Sequence, residues 1–201
     1  MPATDDQIRE KYLERAIREL NQLTRELQAC TRCPRGNLMP VLGSGHPQAD
    51  VLLLKQSAMP AEVEEGVAFY GRSGGALMKS LKRLGIDPLA VYGTLCAKCP
   101  VADSALADPG CVGRIVQEIA IVQPRLIVAT GADALTVLGE VDVPLARPLQ
   151  PLVGEVQPFT PTCEVLLVPN IDESLDDEGS KRRFWDALRA LGRWWEEQPP
   201  F

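Results

Sequence analysis

No apolar run in this chain is long enough to cross a bilayer, and the residues after Met1 lack the layout of a secretory leader. A soluble, cytoplasmic protein without a membrane partner is expected. Positive charge is not in excess either: 21 Lys and Arg stand against 27 Asp and Glu, a net charge of −6. This excludes a protein coated in positive charge, although a local basic groove remains compatible with it. Histidine is nearly absent, and the one example, His46, precedes the first strand in a loop and reads as a surface residue. Internal repeats and low-complexity tracts are missing as well.

What is present is ordinary globular material: 201 residues, 45% hydrophobic and 24% charged, enough for one well-buried domain spanning 1–201. The unusual feature is six cysteines, Cys30, Cys33, Cys96, Cys99, Cys111 and Cys163. A small secreted chain would use such a set as disulfide staples. Here the apolar content removes that need, so metal or redox chemistry is the better reading.

From residues 5 to 28 apolar side chains recur at helical spacing among Glu and Arg, predicting an amphipathic helix that delivers the chain to Cys30. Ala49–Leu54 is a short apolar run typical of a strand buried on both faces. A loop is expected from Lys55 to Phe69, then a helix opening near Gly71–Gly75 and ending at Gly85. Further strands are predicted at 91–97, 126–129 and 165–168, with helices at 111–122, 132–138 and 180–195. In the last helix Phe184, Leu188, Leu191 and Trp195 share a face, and Trp194 and Trp195 read as packing or contact residues. The region 141–161 reads as a loop with one short strand near Val153.

Strands alternating with helices predict an α/β fold, a three-layer αβα sandwich around a mainly parallel sheet. Ligands bind such sheets at the carboxyl ends of the strands, here the loops that begin at Lys55, Lys98, Thr130 and Pro169.

Cys30 and Cys33 form one C-x-x-C pair, Cys96 and Cys99 another, and Cys111 follows. Thiolates are soft, anionic donors, and four of them hold an iron–sulfur cluster or a zinc ion. Two other readings stand beside this one. Cysteine also serves as a small core hydrophobe, which suits the isolated Cys163. A thioredoxin-type redox pair would start a helix after a strand, whereas Cys30 and Cys33 follow a helix and enter a Gly/Pro loop.

The order of these elements resembles the iron–sulfur uracil-DNA glycosylases, the family-four branch of that superfamily, from about Leu27 to Leu191. The resemblance rests on Cys30 and Cys33 after a helix, the loop with Gly43 and Gly45, and Ala49-Asp50-Val51 opening the first strand. It continues through Gly66-Val67-Ala68-Phe69-Tyr70-Gly71-Arg72-Ser73-Gly74, Lys98-Cys99-Pro100, Cys111, and the stretch from Ile119 to Gly131. It implies a [4Fe–4S] cluster on Cys30, Cys33, Cys99 and Cys111, with Cys96 as the alternative to Cys99. It also implies DNA as a partner, Phe69 stacking on an extruded base, and a ligand-binding set of Gln56, Ser57, Phe69, Tyr70, Gly71 and Arg72. A protein partner is a further expectation.

Three departures bear on activity. The family's Gly-Glu-x-Pro-Gly loop is Lys55-Gln56-Ser57-Ala58-Met59 here, which predicts a narrower or differently shaped pocket. The asparagine that reads uracil corresponds to Leu95, which has neither donor nor acceptor. The family's His-Pro element corresponds to Pro169-Asn170-Ile171-Asp172. If hydrolysis of an N-glycosidic bond survives, Glu62 or Asp172 would position water, and Gln56 and Asn170 would contact base carbonyls. The alternative is a non-catalytic relative that binds nucleic acid, a small ligand or a protein. Arg72, Lys79, Lys82 and Arg83, and separately Lys181, Arg182 and Arg183, are the basic clusters available for phosphate.

Overall fold

The computed structural model describes residues 5–101 and 108–198. Its centre is a six-stranded sheet. The parallel inner strands are β2 (Val51–Lys55), β3 (Val91–Leu95), β4 (Leu126–Thr130) and β6 (Glu164–Val168). Two short strands, β1 (Ser44–Gly45) and β5 (Val156–Pro158), add antiparallel to β3 and β6 at the edges. The spatial order is β1-β3-β2-β4-β6-β5, so crossovers join β2 to β3, β3 to β4 and β4 to β6, as parallel pairing demands.

The helices are α1 (Asp5–Ala29), α2 (Pro60–Glu65), α3 (Arg72–Arg83), α4 (Pro109–Val112), α5 (Arg114–Val122), α6 (Ala132–Glu140), α7 (Ile171–Ser174) and α8 (Glu178–Glu196). Alternation along each inner strand divides the core. Leu52 and Leu54 face one layer with Ile115 and Val122 of α5 and Leu135 and Leu138 of α6. Val51 and Leu53 face the other, with Leu77 and Leu81 of α3 and Phe184, Leu188 and Leu191 of α8. This is the expected αβα sandwich, and each leucine fully buried in it contributes roughly 1.5–3 kcal/mol.

The differences from expectation are local. The segment after β2 contains α2, a helix too short to show a period; Pro60 starts it and Gly66, at φ 74°, ends it in the left-handed region. The helix expected over 111–122 is interrupted at Gly113. Val153 makes only an isolated bridge to Leu167, and the strand lies just beyond it at Val156. On α8, Trp194 is buried and Trp195 only partly so. The Trp194 indole N–H reaches Glu164 Oε2 of β6 at 2.6 Å, which draws that ring inward. Among the described residues, no helix is long and apolar enough to cross a membrane.

Candidate functional site

Two constellations lie at the carboxyl-end side of the sheet, one of thiols and one of charged residues. The first begins where α1 ends. Arg35 braces the turn after it, its guanidinium donating to the carbonyls of Cys30 at 2.9 Å and Gln28 at 3.2 Å, and also to that of Leu38. Cys33 is thereby held under the loop that follows β3, which carries Cys99. Cys111 comes from α4, whose first turn is capped by Asp108 accepting the Gly110 N–H at 2.8 Å. The three sulfurs of Cys33, Cys99 and Cys111 lie within 4.8 Å of one another, all buried. The Asp108 N–H points at Cys33 Sγ from 3.4 Å, a donor suited to a thiolate.

Burial first, then the neighbouring sulfurs of Cys111 and Cys33, push the Cys99 thiol upward. Three sulfurs, soft donors gathered this closely in a buried site, make a donor set that fits a soft metal centre. Cys30, half-buried at the end of α1, stands outside this group of three. Cys96 belongs elsewhere. It packs in the core with Leu52, Ile115 and Ile127, where burial pushes its thiol up to about 12. Cys163 lies in the same apolar cluster.

Beside Cys99 runs a buried polar network that the sequence reading did not single out. The Lys98 ammonium, wholly buried, donates to Glu118 Oε2 at 2.6 Å, to Thr94 Oγ1 at 2.6 Å and to the Leu95 carbonyl at 2.9 Å. The Tyr92 hydroxyl donates to Glu118 Oε1 at 3.2 Å, and burial followed by that carboxylate pushes the phenol upward. Gly43 is required alongside, because a Cβ there would meet the Tyr92 oxygen at 2.3 Å. The available signal was a charged residue, Glu118, next to Gln117 in the mostly apolar Ile115–Val122 segment.

The second constellation forms around Lys55, the last residue of β2. Its side chain is 3% exposed, and its ammonium lies 2.6 Å from Glu62 Oε2 and 2.8 Å from Asp172 Oδ2. Glu62, from α2, has no exposed surface and also accepts the backbone N–H of Met59 at 2.7 Å and that of Phe69. The latter bond holds Phe69 at φ 57°, in the left-handed region. The Phe69 ring rests on β3, where a Cβ on Gly93 would meet it at 2.7 Å, and its centroid is 5.6 Å from the Lys55 ammonium. Leu95 is fully buried in a small apolar cluster with Val41 and Ala68.

The fold thus gathers Glu62, Asp172 and Phe69 around one lysine, the residue that opens the first strand-end loop and departs from the family pattern. The other candidates are engaged differently. Asn170 caps α7, accepting the Asp172 N–H at 3.0 Å, while its amide donates to Glu173 at 3.1 Å. Arg72 pairs with Asp176 at 3.0 Å and donates to the Leu175 carbonyl. Tyr70 is exposed, and its hydrogen bond to Glu65 raises its pKa. Gly71 precedes α3 at φ 79°, and Ser57 is exposed. Gln56 carries a buried Oε1 that has no hydrogen-bond partner among the described residues.

The remaining members of the basic clusters are placed or engaged elsewhere. At 1.5 Å rise per residue, Lys79 and Lys82 lie about 10–15 Å along α3 from Arg72. Arg83 stacks on Trp185 at 4.4 Å, and Lys181 pairs with Glu178 at 2.5 Å.

A buried charged cluster at the end of β2 and a buried group of three thiols, on a mainly parallel αβα sheet, define an α/β fold carrying a metal-competent site. The profile of the Uracil DNA glycosylase superfamily matches residues 42–189, and the chain belongs to that superfamily. Among curated proteins it is similar to the Type-4 uracil-DNA glycosylase of Pyrobaculum aerophilum, 28% identical over 130 residues, which are 61% of this chain and 65% of that protein. It is also similar to the protein of the same name from Thermotoga maritima, 30% identical over 127 residues, 59% of this chain and 65% of that one. The aligned stretch therefore spans 65% of the length of each of these two relatives.

Proposed function

We propose that this protein is an iron–sulfur member of the superfamily that binds DNA in a base-excision-repair role, without excising uracil through the family's usual contacts. Three buried thiols within 4.8 Å of one another carry the reading. Cys33, Cys99 and Cys111 would hold a [4Fe–4S] cluster, with Cys30, at the end of α1, as its fourth ligand. The cluster, when bound, supplies a structural cross-link among the loops that flank the cleft. DNA as partner is supported by the similarity to uracil-DNA glycosylases.

In the cleft, Phe69 supplies the stacking face and the Gln56 amide a polar edge, with Ser57, Tyr70, Gly71 and Arg72 around them. Discrimination of uracil requires hydrogen bonds to its edge. The buried leucine at 95 provides none, and the Asn170 amide is already spent on capping α7 and on Glu173. Glu62 and Asp172, the carboxylates expected to orient water, are both engaged by the Lys55 ammonium, so hydrolysis of any other damaged base would first require Lys55 to release one of them.

The test is paired. Anaerobically purified protein should show the broad visible absorption of a cluster with about four irons per chain, as a [4Fe–4S] site requires. It should bind duplex or single-stranded DNA with an affinity that falls as salt rises, because phosphate contacts release counterions. It should release no uracil from uracil-containing strands, and release of base from strands containing hypoxanthine or xanthine tests the remaining hydrolytic capacity. Colourless zinc protein would overturn the cluster, and salt-independent or absent DNA binding would overturn the partner. One observation favours a second reading, a non-catalytic relative that serves a protein partner: Arg72, the cation at the cleft's edge, is already paired with Asp176.

A further inference from the structure

We propose that Lys55 is the specificity-determining residue of the strand-end cleft, a built-in occupant whose ammonium takes the place of a ligand's polar edge and keeps a nucleobase out. The inference rests on reading the cleft beside Phe69 as the superfamily's base site. The family pattern has a glycine where this chain has Lys55, so a four-carbon side chain and a positive charge enter where backbone alone would stand.

The geometry shows where they go. The side chain is 3% exposed, so it runs inward rather than into solvent, and its ammonium ends between a carboxylate of α2 and one of α7. These elements come from loops after β2 and after β6, on either side of β4 in the sheet, so Lys55 ties the two walls of the crevice together. The same ammonium lies 5.6 Å from the centroid of the ring expected to stack on a base.

Entry of a neutral base would require Lys55 to leave Asp172, Glu62 or both. Glu62 has no exposed surface and is held by two backbone N–H groups, so water cannot take over the lysine's role there. The Phe69 backbone is fastened to the same carboxylate. Displacing Lys55 therefore disturbs the stacking platform together with the ion pairs, and the closed arrangement is the one the chain's own contacts favour.

Free uracil is the probe, because it reports on the cleft without requiring affinity for DNA. Metal-loaded wild type, Lys55→Gly and the double variant Lys55→Gly/Glu62→Gln are titrated with uracil by saturation-transfer NMR. The double variant avoids leaving Glu62 as an unpaired buried charge. Wild type is expected to show no saturable binding, and at least one variant with wild-type visible absorption and cooperative melting is expected to gain about tenfold or more in affinity, as relief of a steric and desolvation barrier would give. Asp172→Asn, which frees one wall while keeping the Lys55–Glu62 pair, should gain less.

Equal or weaker uracil binding by folded variants would overturn the proposal. So would a uracil-soaked wild-type crystal with the base stacked on Phe69 while Lys55 still bridges both carboxylates, an observation that needs no variant to fold. If the variants take up uracil but no form binds DNA, the repair reading fails and this inference stands. If DNA binding is normal and uracil binding does not change, the reverse holds.

Discussion

Lys98 and Glu118 show how much rests on single residues, since each is at least 98% buried and each satisfies the other. Removing one partner leaves a charge with no solvent to receive it, so Lys98→Met should lower the unfolding free energy by about 3–5 kcal/mol in denaturant melts. The double replacement Lys98→Met/Glu118→Leu should recover a large part of that loss, because no lone charge remains. Lys98 adjoins Cys99, so the single variant should also bind iron less tightly in a chelator competition.

A second prediction at this scale concerns pH. Burial pushes the Asp50 carboxyl upward, outweighing the lowering effect of Arg125, which approaches it at 4.0 Å. A carboxyl whose folded pKa lies above its unfolded value binds its proton more tightly in the folded state. Its contribution is favourable at acid pH and is lost as pH rises through the carboxylate range. Asp50→Asn should therefore melt higher than wild type near neutrality, with the gap closing below the usual aspartate pKa. Melting curves from pH 3 to 7 would show this, and a gap that widens toward acid would refute it.

Among the elements, α7 is the one placed most consequentially, since one short turn sets the position of Asp172. Its cap is Asn170, and Asn170→Ala should cost about 1 kcal/mol, the ordinary penalty for losing an N-cap side chain. Because the cap lies one turn from the Lys55 contact, hydrogen exchange at the Asp172 amide should quicken more than at β6. The α2 element was not legible in the sequence because six residues carry too little period to distinguish a helix from a loop. The longer elements were legible. The inner strands appear as short, mostly apolar runs, because helices cover both faces of the sheet and bury both sets of side chains.

At the scale of the whole molecule, a group of thiols able to hold a metal brings together the loop after α1, the loop after β3 and α4, three segments far apart in the chain. Cys99→Ser should abolish the iron-dependent visible absorption, whereas Cys96→Ser should keep it, since Cys96 packs in the core on one face of the sheet. In native protein Cys96 and Cys163, both pushed to about 12 by burial, should resist alkylation at pH 7, and mass mapping after a brief exposure would verify it. Retained absorption in the Cys99→Ser protein would reassign the ligand set.

The amino-acid order alone determined the class of fold, the cysteines available to a metal, and the superfamily, because periodicity and motif spacing are properties of the linear chain. It also announced that position 55 had changed from the family pattern. Tertiary structure decided what that change does: only folding brings Glu62 and Asp172, 110 positions apart, to the same ammonium. Likewise Cys96 and Cys99 are equivalent as letters and differ as atoms, since the end of β3 sends one sulfur into the apolar core and the other toward Cys33 and Cys111. Contacts between distant residues depend on how the layers pack, and that information has no local period to read.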